Sequence, residues 1–170
     1  MSENKIEKQV FTYPLLFRLI FRYGNFIITP LLILYTIPML VLLDEKLILT
    51  FPLIVNLLII YFLNRHYLNL YKILPYKIEA DDEEIICSEF FLSKKEFIVK
   101  YEDIESLSGG IFENKISGLM KVYDGKNGIS FGFYHRMNNS GKLATIILSK
   151  VKRELYDEVM EKLMKNGKKS

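Results

Sequence analysis

Two apolar runs separated by three charged residues constrain this chain of 170 residues most strongly. Residues 24–43, GNFIITPLLILYTIPMLVLL, and residues 47–63, LILTFPLIVNLLIIYFL, contain no Asp, Glu, Lys, Arg or His. A hydrocarbon core about 30 Å thick needs roughly 20 helical residues and accepts about 17. Asp44, Glu45 and Lys46 leave room only for a turn. The pattern predicts a transmembrane hairpin of antiparallel helices, with spans at about 24–43 and 47–64.

Buried helices of a soluble core are the alternative to membrane spans. Such helices normally keep a polar stripe, and neither apolar run has one. Asn56 is the strongly polar side chain near the middle of the second run, and we expect it to hydrogen-bond across the hairpin. The ionisable groups of a proton or ion pathway are missing from both runs.

Basic residues flank the apolar runs and predict their orientation. Arg18 and Arg22 precede the first run, and Arg65 and Lys72 follow the second. The positive-inside rule then predicts a multi-pass protein of the cytoplasmic membrane with both termini in the cytoplasm. The same four side chains are candidate contacts for lipid headgroups.

The net charge of +3 belongs to the apolar half of the chain. Residues 1–72 hold seven basic and four acidic residues, whereas the remainder is balanced. A nucleic-acid-binding module carries its basic excess on a folded face. We therefore expect membrane lipids and a protein as partners, and no nucleic acid.

The segment TYPLLFRLIFRY, residues 12–23, has two interpretations. Arg18 and Arg22 are four residues apart on one helical face, and most other side chains are apolar. The segment is either an in-plane interfacial helix or an extension of the first span with its arginines reaching the phosphates. The first interpretation divides the chain into a cytoplasmic N-terminus (1–23), a transmembrane hairpin (24–72) and a cytoplasmic domain (73–170).

The last hundred residues change to short strand patterns and end in a helix. Alternating or β-branched runs predict strands at 76–80, 85–91, 96–101, 103–110, 119–124, 129–134 and 144–149. The GKNG segment predicts a hairpin between the fifth and sixth of these strands. From about Glu154 the apolar residues follow helical spacing, which predicts an amphipathic C-terminal helix.

The stretch LSKKEFIVKYEDIESLSGGIFENKISGLMKVYDGKNG, residues 92–128, resembles bacterial membrane proteins that join a two-helix hairpin to a cytoplasmic pleckstrin-homology-like (PH-like) domain. The resemblance implies an α+β membrane protein: a transmembrane hairpin followed by a seven-stranded PH-like β-barrel or sandwich capped by the C-terminal helix. Eukaryotic relatives bind phosphoinositides through basic residues around the first two strands. Here that turn is ADDEE, whose carboxylates repel an anionic headgroup. Lys94 and Lys95, in the next turn, are either lipid contacts or a solvated hairpin tip.

No catalytic, metal or cofactor site is predicted. His66 and His135 are far apart in sequence, and Cys87 is the single cysteine, which we expect to be a buried structural thiol. Three functions remain: a non-catalytic, membrane-anchored interaction or scaffold module; an immunity or resistance factor against membrane-active peptides; and an anionic-lipid sensor. The first is our preferred hypothesis, and the second rests on family analogy alone.

Overall fold

The computed structural model describes residues 8–115 and 117–167. The chain divides into two compact units. Residues 16–72 form one unit, the helical hairpin. The described residues up to 15, together with those from 73 onward, form the second unit, the β domain.

The hairpin consists of two long apolar helices. Helix α1 covers Leu15–Val41 and helix α2 covers Thr50–Ile73, with a turn and a short 3₁₀ helix, Leu47–Leu49, between them. Both helices are long and apolar enough to cross a membrane. The predicted turn around Asp44–Lys46 is confirmed, because the helix ends before these charges and the next begins after them.

Helix α1 runs without interruption through Pro30 and Pro38. Its start at Leu15 places Arg18 and Arg22 on the same helix as the first apolar run, which corresponds to the interpretation of this segment as a helical extension. Gly24 lets the two helices approach closely, because a Cβ atom there would lie 2.6 Å from the Tyr67 hydroxyl.

The β domain contains two antiparallel sheets. The first consists of β1 (Gln9–Thr12), β2 (Lys77–Ala80), β3 (Glu84–Ser88) and β4 (Phe97–Lys100), in that spatial order. The second consists of β5 (Ile104–Ser108), β6 (Leu119–Asp124) and β7 (Ile129–Tyr134), also in order. The predicted GKNG hairpin between β6 and β7 is confirmed.

The expectation of a barrel is wrong, because the two sheets do not close. A short 3₁₀ helix, Tyr101–Asp103, separates β4 from β5. At one corner the Thr12 carbonyl accepts a hydrogen bond from the Asn138 N–H at 2.9 Å, and the Tyr13 hydroxyl accepts one from the Tyr134 N–H at 2.8 Å. These are single bonds rather than a ladder, so the sheets remain separate.

The predicted strand at 144–149 is also wrong. Residues Ser140–Lys150 form helix α3, which buries Leu143, Ala144 and Ile147. Their spacing of one and then three residues places them on one helical face. The β-branched residues Thr145 and Ile146 resemble a strand locally, but packing of the helical face against the domain overrides that preference.

Strand β1 is not among the strands predicted from the sequence. It pairs with β2, placing Gln9 opposite Ala80 and Thr12 opposite Lys77. Phe11 of β1 is 2% exposed and contributes to the domain core. The β domain is therefore built from segments on both sides of the hairpin.

The C-terminal helix α4, Arg153–Gly167, begins within one residue of its predicted start. It packs against β5 and against the 3₁₀ helix Gly110–Glu113, burying Leu155 and Val159. The loop before that 3₁₀ helix requires Gly109, whose φ is +74° and whose added Cβ would lie 2.2 Å from the Leu119 carbonyl oxygen.

Candidate functional site

The helices of the hairpin are joined by a ring of side-chain hydrogen bonds near the end opposite the charged turn. The Asn25 amide donates to the Asn64 side-chain oxygen at 2.9 Å, and the Asn64 amide donates to the Thr29 hydroxyl at 3.1 Å. Thr29 closes the ring by donating to the Asn25 side-chain oxygen at 3.0 Å. The Asn64 amide also donates to the Ile60 carbonyl at 2.8 Å.

A second polar contact lies deeper in the hairpin, at Asn56. Its amide donates to the Thr36 hydroxyl at 2.7 Å and to the Leu32 carbonyl at 3.1 Å, both on α1. Asn56 is 5% exposed and Thr36 is 8% exposed. The structure thus places Asn56 in contact with the opposite helix. These bonds fix the axial register of the two helices.

The four basic residues predicted beside the apolar runs come to one end of the hairpin. The Tyr71 hydroxyl donates to the Arg22 carbonyl at 3.3 Å, so the start of α1 lies beside the end of α2. Arg18 lies one turn before Arg22, and Arg65 and Lys72 flank Tyr71 in sequence. The opposite end carries the turn with two acids and one lysine.

A shallow groove runs along one face of α2 at this basic end. Its volume is about 400 Å³, and the residues that line it include Tyr61, Asn64, Arg65, Leu68, Asn69 and Lys72. The Arg65 guanidinium donates to the Tyr61 hydroxyl at 3.4 Å. We call this the α2 groove. Its lining combines apolar surface with two cations.

Lys94 and Lys95 lie in the turn between β3 and β4 and are exposed. The Ser93 hydroxyl accepts a hydrogen bond from the Lys95 N–H at 3.2 Å, which shapes the turn. Leu92 is 83% exposed with a φ of 52°. This turn belongs to the β domain, whereas the other candidate lipid contacts belong to the hairpin.

The acidic turn between β2 and β3 is held by internal contacts. The Asp81 carboxylate accepts hydrogen bonds from the N–H groups of Glu83 and Glu84, both at 2.9 Å. Lys150 donates to the Asp81 carbonyl at 3.0 Å and pairs with the Asp82 carboxylate. The turn's carboxylates are thus partly neutralised from within the domain.

Asp81 and Tyr101 have shifted pKa values at this turn. Burial alone raises the pKa of Asp81, but the N–H donors of Glu84 and Glu83, together with Lys8 and Lys150, outweigh burial and lower the pKa. The Tyr101 hydroxyl donates to the Asp81 carbonyl at 2.9 Å. Burial, followed by the nearby carboxylates, raises the pKa of Tyr101.

A cleft in the β domain lies beside the edge strand β5. It has a volume of about 260 Å³ and is lined by Ile104, Glu105, Lys152, Glu154, Leu155 and Glu158. We call it the β5–α4 groove. Because β5 lies at one end of the order β5-β6-β7, the groove borders a sheet edge.

Side chains that perform metal chemistry do not assemble within the described residues. No group of three His, Cys, Asp or Glu there is arranged to hold a metal ion. Cys87 is fully buried, which confirms its prediction as a structural thiol, and burial raises its pKa well above the ordinary value.

The Asn25–Thr29–Asn64 ring and the contacts of Lys150 were not predicted from the sequence. The three ring residues lie near the ends of the apolar runs, and single polar residues at such positions do not indicate a hydrogen bond between two helices. Lys150 pairs with Asp82 across 68 positions of sequence, and no local pattern indicates such a contact.

Comparison of the chain with family models, curated proteins and solved structures gives no match.

Proposed function

We propose that this protein is a non-catalytic, membrane-anchored interaction module, with α1 and α2 crossing the cytoplasmic membrane and the β domain in the cytoplasm. One observation carries the proposal. Only 11% of the residues in the most apolar window of each helix are buried. A core helix of a soluble protein is mostly buried, so that alternative does not account for these helices.

The exposed side chains of the hairpin are large and apolar. They include Phe26, Ile27, Leu31, Leu34, Leu57, Leu58 and Phe62, each between 49% and 62% exposed. An apolar surface of this extent is unfavourable in water and marks contact with a membrane or another protein. Lipid tails satisfy it along the apolar run of each helix.

The dimensions of the hairpin fit a bilayer. From Arg22 to the end of α1 the helix rises about 28 Å, and from Leu47 to Arg65 the second arm rises about the same distance. Both values match a hydrocarbon core about 30 Å thick. The basic end then lies at the cytoplasmic surface and the turn at the opposite one.

The β domain is assigned to the PH-like class within this proposal. Support comes from the order of the elements after the hairpin: three antiparallel strands, which β1 extends to four, then three more antiparallel strands, and finally a C-terminal helix packed on the second sheet. The assignment retains the sandwich of two sheets, and it allows for helix α3 between the last strand and α4.

We assign a protein partner to the β5–α4 groove. An edge strand can accept an added strand from a partner, and a neighbouring helix can supply side-chain contacts. Ile104 and Leu155 form the buried floor of the groove. Glu105, Glu154 and Glu158 line it with negative charge against one lysine. The partner segment should therefore be extended and basic.

Photo-cross-linking in intact membranes tests the partner assignment. A photoreactive residue replaces Glu158 in the groove or, as the matched control, Glu161, which is exposed and pairs with Lys165 at 2.5 Å. We expect a discrete adduct from position 158 and none from position 161. Equal adducts from both positions, or none from either, contradict the assignment.

Alkaline carbonate extraction tests the membrane anchoring separately. We expect the full chain to stay with the membrane pellet, because detergent is needed to remove helices that span the bilayer. Release of the chain into the supernatant contradicts the anchoring whatever the cross-linking shows.

A further inference from the structure

We infer that the α2 groove binds one anionic phospholipid at the cytoplasmic end of the hairpin. This inference rests on the proposed membrane insertion and adds a specific lipid site to it. The groove is formed by α2 alone, with side chains at intervals of about one helical turn from Tyr61 to Lys72. It is about 16 Å long by helical rise.

The charges of the groove favour an anion. Arg65 and Lys72 line it, and no acidic residue is among its described lining residues. The exposed Asn69 amide lies between the two cations in sequence and adds a neutral donor. The backbone positions of Arg65 and Lys72 are about 10 Å apart along the helix, and their guanidinium and ammonium groups can contact a phosphate and a second anionic or hydroxyl group of a headgroup.

The apolar part of the groove favours a lipid over a free phosphate. Ile60 and Tyr61 line the groove on the side of Arg65 toward the apolar run, and Tyr61 is 56% exposed. An acyl chain can follow this surface while its phosphate meets Arg65. Because Arg65 ends the uncharged stretch of α2, the groove lies where hydrocarbon meets headgroups in the proposed orientation.

The Tyr61 contact holds Arg65 along the groove. The guanidinium donates to the Tyr61 hydroxyl at 3.4 Å, which aligns the arginine with the apolar surface. Asn64 contributes a fixed wall, because both ends of its amide are used in the ring with Asn25 and Thr29. A preformed wall lowers the ordering cost of binding.

Native mass spectrometry of the full chain, released from bilayer discs of mixed phosphatidylglycerol and phosphatidylcholine, tests the site. We expect one phosphatidylglycerol to remain bound and to compete at least tenfold better than phosphatidylcholine. The double variant Arg65→Gln/Lys72→Gln should lower retention by roughly 30-fold, since each cation near an anionic surface contributes roughly one factor of five.

The matched control is Arg18→Gln/Arg22→Gln, which removes the same charge from α1 at the same end of the hairpin. It should retain the lipid within about threefold of the parent. The charge-conserving variant Arg65→Lys/Lys72→Arg should retain most of the binding. Equal loss in both Gln variants would show diffuse surface attraction and overturn the inference.

The outcome is separable from the proposed function. If the parent chain withstands carbonate extraction but keeps no phosphatidylglycerol, the lipid site is wrong and the anchoring stands. If free phosphate competes as well as the lipid, the groove is an anion site without acyl recognition, which also overturns the inference. Extraction of the parent chain by carbonate would contradict both the membrane anchoring and the lipid site.

Discussion

Leu92 has an unusual combination of backbone and side-chain properties. Its φ of 52° lies in the left-handed region, where an L-residue pays about 1–2 kcal/mol, and its side chain is 83% exposed. Packing of the leucine side chain within the domain therefore offsets little of this cost. The neighbouring aromatics hold the turn instead, with the Phe90 and Phe97 rings 4.9 Å apart.

Replacing Leu92 with Asn should stabilise the β domain by about 0.5–1 kcal/mol, because Asn tolerates the left-handed conformation. The control Leu92→Val should destabilise it, since a β-branched residue fits this conformation less well. Cys87 provides the measurement: it is buried and alone, so its alkylation rate in mild denaturant reports opening of the domain. Faster alkylation in the Asn variant would contradict the strain argument.

At the scale of elements, polar contacts and turns set how the apolar segments are arranged. The hairpin has two apolar helices that could slide past one another, and the hydrogen bonds of Asn56 and of the Asn64 ring select one register. In the β domain, Asp81 organises the turn between β2 and β3 through backbone N–H groups. In both places, hydrogen bonds from polar side chains hold neighbouring segments of the chain in one arrangement.

A double-mutant cycle tests the contact of Asn56 with α1. Asn56→Leu and Thr36→Val each remove the hydrogen bond between the two side chains, and their coupling should be about 0.6–1.7 kcal/mol. Unfolding in mixed micelles by circular dichroism gives the four free energies. Additive effects within about 0.3 kcal/mol would mean that the bond contributes nothing to the hairpin.

The lowered pKa of Asp81 predicts a contribution to stability that depends on pH. Since the pKa is lower in the folded state than the ordinary value near 4, the contribution is present above that value and is lost as pH falls through the folded pKa. Asp81→Asn should be less stable than the parent at pH 7. The difference should shrink below about pH 4.

Denaturant midpoints of the parent and Asp81→Asn, measured from pH 7 to pH 3, test this prediction. A gap that stays constant over the whole range would show that Asp81 acts only through its geometry. A gap that widens toward low pH would reverse the predicted sign.

At the scale of the whole molecule, the protein combines an apolar hairpin with a β domain assembled from both sides of it. Strand β1 precedes the hairpin and pairs with β2, which follows it. Strand β1 can therefore pair only after residues 77–80 have been synthesised. Two short segments, residues 13–14 and 74–76, connect the hairpin helices to strands β1 and β2.

Local sequence patterns were sufficient for some elements and insufficient for others. The hairpin followed from the charges at Asp44–Lys46, and the GKNG hairpin from its turn residues. Strand β1 was missed because four residues pair with a partner about 70 positions away. Residues 144–149 were misassigned because Ile146 and Thr145 favour strands, while the buried spacing of Leu143 and Ile147 is helical.

Of the contacts at the candidate sites, some were predicted from the sequence and others were not. Asn56 was expected to bond across the hairpin from its isolated position in an apolar run, and the structure places it against Leu32 and Thr36. The pairing of Lys150 with the acidic turn depends on helix α3, which the sequence analysis placed as a strand. A wrong element therefore concealed the contact that neutralises Asp82.

Labelling of single introduced cysteines tests most directly whether the chain crosses the membrane twice. Lys46→Cys lies in the hairpin turn, Leu34→Cys in the middle of α1 and Met164→Cys on the exposed face of α4, while Cys87 is buried and should remain silent. A membrane-impermeant maleimide added to intact cells should label position 46 alone. After permeabilisation it should also label position 164, and position 34 should stay unlabelled. Labelling of position 164 in intact cells, or of position 34 at a rate similar to position 46, would contradict the account.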